Sequence, residues 1–169
     1  MCSSDLLAAF KATGSGIWLS YCLALLAEAC GKAGQVEQGL TVLAEALAFV
    51  DRTGERYYEA ELYRLKGELT LQQENQKAKV KGQKAKIETE AHGEAEACFL
   101  RAIDIAQKQQ AKSLELRATK SLARLWQQQG KQDEAHRMLS EVYNWFTEGF
   151  DTKDLQEAKA LLESLASRV

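Results

Sequence analysis

Between Leu114 and Phe146, apolar residues fall at helical spacing on either side of a glycine. Leu122 and Trp126 lie one turn apart before Gly130, and Leu139 and Val142 lie three apart after it. Gln, Lys, Glu and Arg fill most of the positions between. A period of three to four predicts two amphipathic helices. Their hinge falls at Gly130-Lys131, because a residue without Cβ suits a left-handed helix end. Ala123 follows Leu122 in the first stripe, and Ala135 opens the second. Small side chains let two helix backbones approach while Leu122, Trp126 and Leu139 fill the space beside them. One helical hairpin is the expectation.

The same spacing recurs. Leu26-Ala27, Gly34, Gly39, Leu43 and Ala46 reproduce Leu122-Ala123, Gly130, Ala135, Leu139 and Val142 without a gap. Gly67, Ala95, Phe99 and Ala102 do so again once about 17 additional residues are set aside, giving a period of roughly 39 to 40, within the range of stacked helical hairpins. The Leu62, Leu65, Leu69 stripe would also tolerate a one-residue slide of the middle copy. Gly67 is preferred because it aligns Trp18, Tyr58 and Leu114 at the starts of the three first helices.

These copies place hairpins over 17–53, 56–110 and 113–147. A remnant leading helix over 4–12 presents Leu6, Leu7 and Phe10 on one face. A closing helix over 152–167 carries Leu155, Ala158, Leu162 and Leu165. Asp151 or Thr152 can cap that last helix, with Asp154 in its first turn near the positive helix end. A terminal unit must hide an apolar face, so Glu157, Lys159 and Arg168 are expected on the solvated side. Residues 72–93 break the pattern: Val80 and Ile87 are the only large apolar residues beyond Gln72, and five lysines fall between Lys77 and Lys86. Such a run buries little surface. It reads as a solvated insertion loop or a frayed extension of the flanking helices.

Composition narrows the function. The chain has no proline, 46% hydrophobic and 27% charged residues, as expected of an all-α soluble domain. Its net charge of −2 creates no field that draws it to nucleic acid or membrane. The lysine run lacks interleaved aromatics on which bases could stack. The apolar segment from Ile17 to Cys30 contains Glu28 and lacks a basic leader, so it is not read as a signal peptide, and it is too short and polar to span a bilayer. Cys2, Cys22, Cys30 and Cys98 show no paired spacing, consistent with free thiols in a reducing cytoplasm. His92 and His136 lack ligand neighbours at metal spacing. There is no phosphate-binding glycine loop and no framed nucleophile. The carboxylates of Glu59/Glu61 and Glu94/Glu96 stand two apart on a helix and do not face each other. Neither catalysis, a metal nor a cofactor is expected.

A small residue in the first helix, a glycine turn, then alanine, a large apolar residue and a small one in the second resembles the tetratricopeptide repeat (TPR). More narrowly, WLSYCLALLAEACGKAGQVEQGL, GERYYEAELYRLKGEL and EAEACFLRAIDIAQKQQAKSLELRATKSLARLWQQQGK look like the carboxy-terminal TPR tails of large bacterial signalling ATPases and adenylate cyclases. Maltose-activator-type transcription regulators carry similar arrays. The resemblance covers residues 14 to 167. The period exceeds the usual TPR length, and the proline common at the end of the second helix is absent. It implies a right-handed superhelix of antiparallel hairpins with a closing helix, whose first helices line a concave groove that binds a peptide or helix of a protein partner.

Equivalent positions then form rows across that groove. Six residues before the small residue stand Tyr21, Glu61 and Arg117; three before it, Ala24, Arg64 and Lys120; one after it, Glu28, Glu68 and Arg124. Arg117, Lys120 and Arg124 share one helix face, a basic ridge beside the mixed ridge of Glu61, Arg64 and Glu68. These residues contact a partner, pair across repeats as Glu61–Arg117 and Glu68–Arg124, or do both. Two other uses stay open. One is small-molecule sensing in a pocket lined by Trp18, Tyr21, Tyr57, Tyr58 and Tyr63; the other is self-association through an open end of the array into a homo-oligomer.

Overall fold

The computed structural model describes residues 18–81 and 85–167, with side chains outside 78–90. Among the described residues it contains α-helices and no strand. They are α1 (Leu19–Lys32), α2 (Val36–Thr53), α3 (Glu59–Lys81), α4 (Ala85–Lys108), α5 (Lys112–Gln128), α6 (Gln132–Tyr143) and α7 (Lys153–Ala166). The leading helix expected over 4–12, and Arg168, lie outside the described residues.

Short connections fold each helix back on the one before. Gly34 and Gly130 take φ of 76° and 80° at the α1–α2 and α5–α6 turns, the left-handed conformation for which glycine was read there. At the α4–α5 break the same conformation falls on Gln110, with φ 55°. Every helix packs on its successor, and α1 also packs on α3, α3 on α5, and α5 on α7. The odd-numbered helices therefore form a row, and each even-numbered helix is wedged against two neighbours of it.

The small residues sit where helices approach most closely. Ala27 and Ala123 are fully buried. A methyl group added to Gly67 would lie 2.5 Å from the Phe99 ring, so α3 and α4 touch through this position. Leu69 enters between α1 and α2, where methyl groups on Gly31 and Gly39 would meet it at 2.6 and 2.7 Å. One apolar cluster joins α1, α2 and α3 through Leu23, Ala27, Leu43, Ala46, Leu62 and Leu65. Another joins α4 and α5 through Phe99, Leu122 and Leu125. A third joins α5, α6 and α7 through Leu116, Leu139, Leu155, Ala158, Leu161 and Leu165.

Of the two readings of the insertion, loop or extension of the flanking helices, the structure takes the second. α3 runs for 23 residues and α4 for 24, so helix continues to Lys81 and resumes at Ala85. Lys, Gln, Glu and Ala are all good helix formers, and the segment is anchored where it leaves the core. Gln72 Nε2 donates to the Gly31 carbonyl at 2.9 Å, and Gln76 Nε2 to the Gly34 carbonyl at 3.2 Å. Both carbonyls lie at the α1–α2 turn, where helix ends leave groups without intrahelical partners; that of Gly31 also accepts from the Gly34 N–H at 3.0 Å. Ala91 is buried on the return.

Candidate functional site

The row of odd-numbered helices borders a groove of about 1060 Å³. Residues three and four apart on a helix share a face. Glu61, Arg64 and Glu68 therefore project from α3 into the groove together, and Arg117, Lys120 and Arg124 do so from α5. Tyr21 and Glu28 enter from α1. Eight of the nine residues aligned by the repeat spacing line this one groove; the ninth, Ala24, is buried in the apolar cluster of α1, α2 and α3.

Their charges are engaged across the row. Arg64 donates from Nη2 to Glu61 Oε1 at 2.7 Å and from Nε to Glu61 Oε2 at 2.9 Å, and also reaches Glu68. Burial works against the Arg64 charge, but its hydrogen bonds to Glu61 and Glu68 outweigh burial and raise its pKa. Glu61 is only 4% exposed and also lies 3.8 Å from Arg117. The expected Glu61–Arg117 pair thus exists. Glu68 instead accepts from Ser121 Oγ at 2.8 Å, and Arg124 turns to Glu157 at 3.3 Å. The expected Glu68–Arg124 pair is replaced because α7 brings a carboxylate nearer to the α5 cation.

That carboxylate corrects the reading of the basic ridge. Lys120 is 4% exposed, enclosed between Asp154 at 2.8 Å and Glu157 at 3.0 Å. Arg117 donates from Nε to Asp154 at 2.7 Å. Glu157, expected among solvated positions, meets Lys120, Arg124 and, at 3.8 Å, Lys153. Asp154 and Glu157 stand three apart on α7, the spacing of Arg117 and Lys120 on α5. That match was visible in the sequence, but the parallel placement of the two helices was not. Burial would raise the Asp154 pKa, yet hydrogen bonds from Lys120 and Arg117 leave it lowered. Glu157 is lowered chiefly by its hydrogen bond from Lys120. Glu28 is lowered chiefly by Lys32, which it meets at 2.7 Å.

Aromatic rings gather where α1 and α3 begin. Trp18 packs edge-on to Tyr21 and Tyr57 at centroid distances of 6.3 and 5.7 Å. Tyr58 closes the circuit, 5.1 Å from Tyr21 and 5.8 Å from Tyr57. Trp18 and Tyr57 keep 54% and 57% of their surface exposed. Burial, then Glu61, raises the Tyr58 pKa. Tyr63, grouped with these rings on sequence, lies elsewhere: it packs on Ala60, Ile105 and Ala106, with Arg101 5.9 Å from its ring centroid. Helical spacing turns it toward α4.

Two further acids are buried for structural reasons. Glu59 is held by Arg56 at 2.9 Å, and Glu115 by Lys112 at 2.7 Å and by the Gln107 amide at 2.9 Å. Glu59 and Glu61 thus face different arginines, as their two-residue separation requires. No protein-family model matches the sequence, and no curated protein matches it.

Proposed function

We propose that this chain is a non-catalytic TPR-like scaffold, a right-handed stack of helical hairpins that holds a peptide or helix of a protein partner in the groove. The observation that carries this reading is the convergence of residues from α1, α3, α5 and α7 on one continuous surface. Positions equivalent under the repeat meet there although they lie far apart in sequence. Asp154, Glu157 and Glu28 are held ionised by cations rather than tuned towards neutrality, which suits recognition better than proton transfer. Free thiols at Cys22, Cys30 and Cys98 support a reducing, cytoplasmic setting.

A photo-crosslinking residue in place of Leu25, exposed within the groove, should capture a protein partner from a cell lysate. The same residue in place of Leu100, exposed outside it, should not. Equal capture from both positions overturns the assignment. A second reading, small-molecule sensing, draws support from the closed circuit of Trp18, Tyr21, Tyr57 and Tyr58. A ligand bound only by the native state would raise the melting temperature, and Tyr57→Ala would abolish that rise.

A further inference from the structure

The groove is chemically polarised, and its two ends differ in what they leave unsatisfied. At the α5–α7 end, Arg117, Lys120, Arg124 and Lys153 converge on Asp154 and Glu157. The nearby Glu61 is already held by two hydrogen bonds from Arg64. Even counting Glu61, which Arg117 also meets at 3.8 Å, four cations face three carboxylates, and the positive excess sits on accessible groups: the Arg124 and Lys153 side chains are 48% and 90% exposed. At the α1–α3 end the ion pairs Glu28–Lys32 and Arg64 with Glu61 and Glu68 leave no such excess. There the half-exposed ring of Tyr57 lines the groove and offers apolar area instead.

We infer that the occupant of the groove is an acidic peptide segment with one bulky apolar side chain. Its carboxylates add to the Arg124–Glu157–Lys153 cluster, and its apolar side chain seats on the Tyr57 ring. Guanidinium groups bind carboxylates with two parallel hydrogen bonds, and Arg124 makes one to Glu157, so it retains donors. Aromatic and arginine side chains of this kind are the ones that anchor peptide interfaces. The ends lie about two helix spacings apart, roughly 16–20 Å. The acid and the apolar anchor are therefore separated by about five or six extended residues.

This inference rests on the groove being a peptide site, and one experiment separates the two claims. An array of random dodecapeptides is probed with the full chain, then with the Arg124→Glu/Lys153→Glu double variant and with Tyr57→Ala. The expected result is enrichment of Asp and Glu among bound peptides, with an apolar residue about five or six places away. The double variant should lose the acidic enrichment and bind the best peptide about tenfold more weakly, while Tyr57→Ala should lose the apolar preference alone. Should the double variant melt early, Arg124→Gln/Lys153→Gln replaces it without adding negative charge. Bound peptides without an acidic preference overturn this inference and leave the groove as a peptide site. An array that captures nothing overturns both.

Discussion

Lys120 Nζ lies 2.8 Å from Asp154 Oδ1, and this contact ties the closing helix to the row of helices before it. A lysine with 4% exposure remains charged at moderate cost only if its partners stay in place, since an unpaired buried charge is expensive. Lys120→Met should therefore lower the stability of the folded chain by about 1–3 kcal/mol, short of the cost of a fully isolated pair because Arg117 and Arg124 still hold the carboxylates. Lys120→Glu should cost more, since it places a third carboxylate beside two. Urea denaturation measures both, and a Lys120/Asp154 double-mutant cycle isolates a coupling of about 1 kcal/mol or more.

The same contacts give the protein an acid limit. Asp154 and Glu157 have pKa values in the folded state below their unfolded values. Their stabilisation is thus fully present above the unfolded carboxylate values and is lost as pH falls through the folded ones. Thermal melts should show a plateau above about pH 5 and a decline below about pH 4. In the Asp154→Asn/Glu157→Gln variant, the melting temperature should be lower at neutral pH and fall less on acidification. An unchanged acid slope would refute the assignment to these two groups.

Gly67 is a test of close approach between α3 and α4. Alanine there gains about 1 kcal/mol of helix propensity, but its methyl meets the Phe99 ring at 2.5 Å. Phe99 is fully buried and its ring is rigid, so the backbone must move, at about 1–3 kcal/mol. Gly67→Ala should be net destabilising, and Gly67→Ala/Phe99→Leu should be less destabilised than the two single changes together predict.

Gln110 offers the opposite sign. It holds φ at 55°, where a side chain strains the backbone, and its N–H donates to the Gln107 carbonyl at 3.0 Å, a bond that glycine keeps. Gln110→Gly should stabilise by about 0.5–1 kcal/mol after the greater freedom of the unfolded glycine is counted. The corresponding rise in melting temperature is about 1–4 °C, measurable by circular dichroism.

Helix was legible outside 72–93, because amphipathic period and glycine breaks are local properties. Leu122, Trp126, Leu139 and Val142 carried the third hairpin, and Gly34 and Gly130 stand at turns as spacing required. The eight groove residues were also legible, since equal positions on helices stacked by a repeat face the same way. Composition left 72–93 open between a loop and an extension of the flanking helices, and the helices do extend, to Lys81 and from Ala85. Polar residues with high helix propensity need only a few anchors, here Gln72 and Gln76, to continue a helix out of a core.

The sequence alone, then, determined the helices outside 72–93, the glycine turns between them and which side of each first helix faces the groove. All of these follow from short-range backbone preference and the periodic burial of apolar side chains. Which charges meet was decided by the tertiary structure. Arg124 pairs with Glu157 and not Glu68, and Lys120 is enclosed and not free, because α7 docks its Leu155, Ala158 and Leu161 stripe beside α5 and carries two carboxylates in with it. Coulombic partners are chosen by distances of a few ångströms, and those distances exist only once the helices have packed.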